Sequence, residues 1–190
     1  MNINKAIING AKFLKKNFIL TANLDAEILM GEVINKDRIY VILNQSKELN
    51  KENLLKFEEL IKQRSQKKPI SYLTNKKYFW NSEFFVTRDT LIPRSETELI
   101  VESVLKLSKN KNFLSILDIG VGSGCILLSI LKEKQYFYGT GIDISQKCLN
   151  VCQKNANKLN IHSRLRLFKS DVDKFISGKY DVIVSNPPYI

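Results

Sequence analysis

Apolar positions along this chain follow two different rhythms. From Ile3 to about residue 66 they recur every three to four residues, the spacing of helices with one buried face. Ile3, Ile7, Ile8, Ala11, Leu14 and Phe18 form the first stripe, with Lys5, Lys12, Lys15 and Lys16 mostly opposite. Asn23 is placed to cap a second helix over 24–34, where Asp25 and Glu27 in the first turn complement the helix dipole. A short apolar segment spans 38–44. Asn50 or Asn53 then caps a longer helix to about residue 66, with Leu54, Leu55, Phe57, Leu60 and Ile61 as its apolar residues. Helices with no strand between them predict a small bundle over 1–67.

Residues 68–90 change character. Pro69 ends the helical pattern, and Tyr72, Phe79, Trp80, Phe84, Phe85 and Val86 are aromatic or β-branched, with turn signals at Asn75 and Asn81-Ser82. This predicts a β-hairpin linker. Ser95 followed by Glu98 has the form of a capping box, opening a helix with Ile100, Val101, Val104 and Leu105 on its apolar face. From residue 113 strand and helix alternate: strands over 113–119, 136–142, 165–168 and 181–185, helices over 124–133 and 145–159. Short continuous apolar runs mark parallel strands covered by helices, so residues 91–190 read as an α/β unit with about four strands.

Composition narrows the classes. The 190 residues carry 30 basic and 19 acidic side chains, a net charge of +11. The charge is spread evenly and comes from 24 Lys against 6 Arg. It reads as lysine on solvated faces rather than as a nucleic-acid surface, where arginine leads. No apolar run approaches the ~20 residues of a membrane span, and the first residues do not form a secretory signal. Three cysteines without a CxxC pair, Cys125, Cys148 and Cys152, argue against a disulfide framework or a structural zinc site and fit a reducing cytoplasm. No metal site is expected.

Three motifs carry chemistry. Leu117-Asp118-Ile119-Gly120-Val121-Gly122-Ser123-Gly124-Cys125 joins a strand to a helix. Its alternate glycines allow a tight turn and a close backbone approach to a ligand; a plain tight turn is the simpler reading. Asp143 ends the next strand, placed to accept from two ribose hydroxyls or to cap the following helix, a task Ser145 also suits. Together the two indicate an adenosine-containing ligand. Asn186-Pro187-Pro188-Tyr189 follows the last strand. The prolines have no N–H and hold their neighbours extended, so Asn186 Oδ1 and the backbone carbonyls form a rigid acceptor array for a planar –NH₂ group, with Tyr189 as a flat face. A strand-terminating turn is the alternative.

The combination of these motifs with Gly139-Thr140-Gly141-Ile142-Asp143-Ile144-Ser145 and Asn155-Ala156-Asn157 resembles the class I (Rossmann-like) methyltransferases that use S-adenosylmethionine. The Asn-Pro-Pro-Tyr motif is shared by enzymes acting on amide or exocyclic amino nitrogens. Leu91-Ile92-Pro93-Arg94-Ser95-Glu96-Thr97-Glu98 resembles the Ile-Pro-Arg-Pro-Glu-Thr-Glu signature of the HemK/PrmC family of release-factor glutamine methyltransferases. Pro69-Ile70-Ser71-Tyr72-Leu73, Phe79-Trp80 and Asp25-Ala26-Glu27-Ile28-Leu29 also fit that family. The resemblance implies methyl transfer from S-adenosylmethionine to the glutamine side-chain amide in the Gly-Gly-Gln loop of class 1 peptide release factors. It implies Asn186, Pro187, Pro188 and Tyr189 as the catalytic motif. The cofactor-binding residues would be Asp118, Gly120, Val121, Gly122, Ser123, Gly124, Asp143, Asp171 and Asn186. The helical part would hold the release factor, with a monomeric cytoplasmic protein, no membrane and no nucleic-acid substrate expected.

Departures from the family pattern are visible. Ser95 stands where the signature has its second proline, Asn75 where the hairpin usually has glycine, and Cys148 and Cys152 where small residues are usual. The three cysteines are read as packing and His162 as a loop residue. Arg94 and Glu96 lie in the signature, either in a direct role or at a capped helix start. The family continues through further strands, whereas this sequence stops at Ile190. Two alternatives follow: a truncated remnant, poorly soluble and weak in cofactor binding, or an amino-methyltransferase acting on nucleic acid.

Overall fold

The computed structural model describes residues 1–175 and 178–187. The chain divides into two compact units, Met1–Thr74 and Asn75–Ile190.

The first unit is all helical: α1 (Ile3–Lys16), α2 (Ala22–Ile34), α3 (Arg38–Leu43), α4 (Lys51–Ser65) and α5 (Ile70–Thr74). Ile3, Ile7, Ala11 and Leu14 of α1 bury against Ala26, Leu29 and Met30 of α2 and Phe57 and Ile61 of α4 in one apolar cluster. Ile8 and Phe18 of the predicted stripe face outward, Phe18 at 85 % exposure beyond the helix end. Asn50, not Asn53, caps α4: its Oδ1 accepts from Asn53 N at 2.7 Å. Asn23 caps nothing, because α2 starts one residue before it. Pro69 does not end the helical region but opens α5, its carbonyl accepting from Tyr72 N and Leu73 N.

Asp25, expected to complement a helix dipole, is buried instead. Its Oδ2 accepts from Thr21 Oγ1 at 2.9 Å and from Arg64 Nε at 2.7 Å. Its side chain is 6 % exposed. A charge this buried depends on its partner. Asp25→Ala, which strands the Arg64 guanidinium, should cost about 2 kcal/mol in urea unfolding. Removing Glu27, paired with the exposed Arg38, should cost under about 1 kcal/mol. Equal losses for the two variants would contradict the assignment.

The second unit begins with a hairpin, β1 (Lys76–Phe79) and β2 (Ser82–Phe85), paired antiparallel with Phe79 opposite Ser82. The turn residues Trp80 and Asn81 both have positive φ, +44° and +55°. That geometry matches the twist of a two-residue hairpin. Asn75 is also left-handed at φ +55°, but it precedes β1 and lies outside the turn. A 3-10 turn, Ser95–Thr97, leads into α6 (Glu98–Leu107). The capping box does not form: neither Ser95 nor Thr97 caps α6 by its side chain. The Glu98 carboxylate accepts from Trp80 N at 3.0 Å instead.

Strand and helix then alternate as β3 (Ser115–Ile119), α7 (Cys125–Glu133), β4 (Tyr138–Asp143), α8 (Gln146–Lys158), β5 (Leu165–Lys169) and β6 (Val182–Ser185). The sheet is parallel throughout, in the order β5-β4-β3-β6. Strand order therefore reverses between β3 and β6, the position where open α/β sheets form a ligand crevice at their carboxyl ends. Ile116, Leu127, Leu128, Ile130, Leu131 and Phe137 are fully buried in the core beneath it.

Candidate active site

The site is built at that reversal. β3 leads into the glycine turn, β4 ends in Asp143, and Asn186 directly follows β6. A cleft of about 410 Å³ opens between them. Gly120, Gly122, Asp143, Ser145, Asp171, Asn186 and Pro187 line it. The size suits a nucleoside-bearing small molecule.

Gly120 and Gly122 have φ of +72° and +54°. A Cβ on Gly120 would meet nothing within 4 Å, and one on Gly122 only the Gly120 carbonyl at 3.8 Å. Space stands open over the turn, on the side a ligand would occupy. Gly124 differs: a Cβ there would stand 2.6 Å from Cys152 Sγ. It opens α7 by packing the turn directly onto α8.

Asp143 Oδ2 accepts from Gly122 N at 3.1 Å and its Oδ1 from Ser145 N at 2.8 Å. The carboxylate thus holds the turn in shape, and each oxygen keeps acceptor capacity toward the cleft. Ser145 is the cap of α8, accepting from Cys148 N. Asp118 lies beneath the turn at 1 % exposure, and its Oδ2 has no hydrogen-bond partner. Burial pushes its carboxyl up to about 7; a backbone N–H from Leu127 opposes this, and the nearby Asp143 adds to it. Val121 packs in the core, and the Ser123 carbonyl accepts from Asn155. Asp171 caps the short turn after β5, its Oδ1 accepting from Val172 N. Asn186 Nδ2 donates to Thr97 Oγ1 at 3.2 Å. Pro188 and Tyr189, expected in the catalytic motif, lie outside the described residues.

The cysteines behave as packing. Cys148 donates to the Asp89 carbonyl at 3.0 Å, and burial pushes all three thiols up, Cys125 to about 12. Arg94 and Glu96 are exposed. His162 sits in an exposed 3-10 turn before β5.

One buried side chain has a structural role that its place in the Asn155-Ala156-Asn157 motif does not reveal. Asn155, 1 % exposed, accepts from Phe85 N at 2.7 Å and donates to the carbonyls of Phe85 and Ser123, each at 2.9 Å. It joins the hairpin to the glycine turn. The available signal was an amide among Leu149, Cys152 and Ala156 on the apolar face of α8.

Two family models match this chain: the PrmC N-terminal domain over residues 5–74 and the methyltransferase small domain over 95–190. A release factor glutamine methyltransferase of Buchnera aphidicola from Schizaphis graminum is 40 % identical over 190 residues, all of this chain and 68 % of that protein. The chain belongs to the release factor glutamine methyltransferase family. A second member of that family, from Leptospira interrogans, is 40 % identical over 185 residues, covering 94 % of this chain and 64 % of its own length. A bifunctional methyltransferase of Rickettsia conorii is 34 % identical over all of this chain and 41 % of its own length. The chain thus spans roughly two thirds or less of these relatives. A solved S-adenosylmethionine-dependent methyltransferase of Thiobacillus denitrificans, in complex with S-adenosyl-L-homocysteine, superimposes at a TM-score of 0.41. It is 24 % identical over 46 % of this chain and 35 % of that one.

Release factor glutamine methyltransferases are S-adenosylmethionine-dependent enzymes, and the residues here fit that donor. The open space over Gly120 and Gly122 and the Asp143 carboxylate facing the cleft together fit a polar nucleoside ligand. Among the described residues no helix is long and apolar enough to cross a membrane.

Proposed function

We propose that this protein transfers a methyl group from S-adenosylmethionine to the side-chain amide nitrogen of the glutamine in the Gly-Gly-Gln motif of class 1 peptide release factors. The observation that carries the reading is the β3–β6 pairing, which aligns Ile119 with Ser185 and so sets the glycine turn and Asn186 on one cleft. The donor, when bound, supplies an electrophilic methyl group on a sulfonium. Gly120, Gly122, Asp143 and Asp171 would hold it, with Asp118, Val121, Ser123 and Gly124 supporting the turn from behind.

An amide nitrogen is a poor nucleophile because its lone pair is delocalised. Asn186 Oδ1 and the Pro187 carbonyl are acceptors suited to its two N–H groups. Holding both fixes the orientation of the nitrogen and stabilises the positive charge that develops on it. No strong base is required first; the proton leaves afterwards to solvent. Pro188 and Tyr189 complete the motif in this reading, Tyr189 as a face for the planar amide.

The helical part, read from the sequence as residues 1–67, would hold the release factor, and the segment over 68–90, which carries α5 and the hairpin, would link it to the transfer domain. Exposed Phe18 and Leu20 beside Lys15, Lys16 and Lys67 support a protein-facing surface there. The protein acts as a cytoplasmic monomer in this reading.

The test is methyl transfer from labelled S-adenosylmethionine to a purified class 1 release factor, with the modified peptide read by mass spectrometry. The expected product carries one extra methyl on the Gly-Gly-Gln glutamine, lost when that glutamine is replaced. Label found only in nucleic acid would favour amino-group methylation of a base and overturn the proposal.

A further inference from the structure

The cleft at Gly120, Asp143 and Asn186 occupies the carboxyl end of the sheet. The opposite end, where β3, β4 and β5 begin, carries a second feature. Strand register sets Ser115 beside Tyr138 and Thr140 beside Arg166, so these four side chains share one face of the sheet. With Phe113 and Arg164 they line a hollow of about 430 Å³. The same two chain segments, around 113 and 138, line another hollow of about 390 Å³, with Lys109, Lys111, Lys134 and Tyr136 on its wall.

Three aromatic rings stand out into water here: Phe113, Tyr136 and Tyr138 are 61 %, 63 % and 49 % exposed. Phe113 and Tyr138 lie against each other, ring centres 5.5 Å apart and tilted by 45°. A single exposed apolar residue is ordinary, whereas a cluster of rings marks a contact surface.

Charge indicates the partner. Lys109, Lys111 and Arg166 are exposed, and among the described residues none of them has an ion-pair partner. Arg164 differs: its guanidinium donates to the carbonyls of Leu131, Lys134 and Phe137 and so holds the end of α7. The two carboxylates nearby are already engaged, Glu133 by the Trp80 Nε1–H and Asp181 by the Ser115 N–H. The protein's evenly spread charge does not single out this face; the coincidence of free cations with exposed rings does. An acidic protein surface would answer the cations but not the rings. Unpaired bases on a phosphate backbone answer both.

We propose that this end of the sheet binds a single-stranded polynucleotide, its bases stacked on Phe113, Tyr136 and Tyr138 and its phosphates met by Lys109, Lys111 and Arg166. The strand lies at the end of the sheet away from the glycine turn, so it is held rather than methylated. The proposal is independent of the glutamine reading.

The test uses the whole chain without S-adenosylmethionine. Fluorescence anisotropy follows labelled oligo-uridine and oligo-deoxythymidine of about 12 nucleotides, and a duplex RNA of the same length. Both single strands should bind at least about tenfold more tightly than the duplex, and the preference between them tells which sugar the hollow takes. The Kd for oligo-uridine should rise roughly twentyfold from about 50 to about 200 mM salt, as expected for three phosphate contacts. Phe113→Ser and Tyr138→Thr should each weaken binding about tenfold and leave the salt dependence unchanged. Lys111→Gln and Arg166→Gln should each flatten the salt dependence by about one phosphate contact, while Lys51→Gln, an exposed lysine of the first unit, should change nothing. Unchanged urea midpoints for the ring variants separate a lost contact from a lost fold. Failure of both single strands to bind at the lower salt would overturn the proposal and leave the face to a protein partner. Equal affinity for the duplex, wild-type affinity in both ring variants, or equal weakening by Lys51→Gln would overturn it as well.

Discussion

Gly124→Ala should lower the unfolding free energy by about 3 kcal/mol. Two costs add. At φ +80° a side chain meets its own backbone, worth about 1 kcal/mol. The new Cβ would also stand 2.6 Å from Cys152 Sγ and 2.9 Å from Leu128 Cδ1, both on buried residues that cannot retreat into solvent. Overpacking of this kind costs about 1–3 kcal/mol. Urea unfolding separates the two. In the Gly124→Ala background, Cys152→Ala removes the nearest collision and should be less costly than in the wild type by about 1 kcal/mol, while the backbone penalty remains. Strictly additive effects of the two substitutions would show that the turn yields without pressing on α8. A wild-type midpoint for Gly124→Ala would refute the close packing altogether.

Asp118→Asn should change how stability depends on pH. The Asp118 carboxyl rises from 3.8 to about 7 because it is buried. Between those values the folded chain holds a proton that the unfolded chain has released. Stability from this group is therefore full below about pH 4, falls by roughly 1.4 kcal/mol per pH unit, and is gone above about pH 7. Asparagine has no proton to lose. The difference in unfolding free energy between Asp118→Asn and the wild type should thus shift in the variant's favour by about 2–3 kcal/mol from pH 5 to pH 7, then stay level to pH 8. Taking the difference cancels the ordinary carboxylates titrating near pH 4. A constant difference across the range would mean that Asp118 is ionised throughout.

The two central strands were legible because they are covered and their apolar runs are continuous, with Ile116 and Leu117 in β3 and Ile142 in β4 buried. β5 and β6 depart from that expectation, since Phe168 and Ile183 are exposed and β6 buries only Val184. The glycine turn and Asp143 could be placed for the same reason, since each sits where a strand gives way to a helix. Local hydrogen bonding was less legible. Ser95 and Glu98 have capping-box spacing, but Glu98 is claimed by the Trp80 N–H, a partner eighteen residues away that spacing cannot show. The hairpin turn was signalled at Asn81 but not at Trp80, because an aromatic residue at φ +44° runs against local preference and is held there by the pairing of β1 and β2. Asn23 and Asn53 lost their capping roles to an earlier helix start in one case and to Asn50 in the other. Helical periodicity likewise could not tell Ile8 from Ile7, two neighbours on opposite sides of the boundary between core and water.

The Asn155 amide has a consequence for how the second unit can move. One ordered side chain answers to the backbone of β2 on one side and to the turn at Ser123 on the other. Its rotamer entropy is lost once, yet it immobilises two segments far apart in sequence. For the glycine turn to loosen, the hairpin must give up its grip on the same amide, or the amide must surrender buried hydrogen bonds with nothing to replace them. Hairpin and glycine turn are thereby joined into one mechanical part, so that they open together or stay closed together.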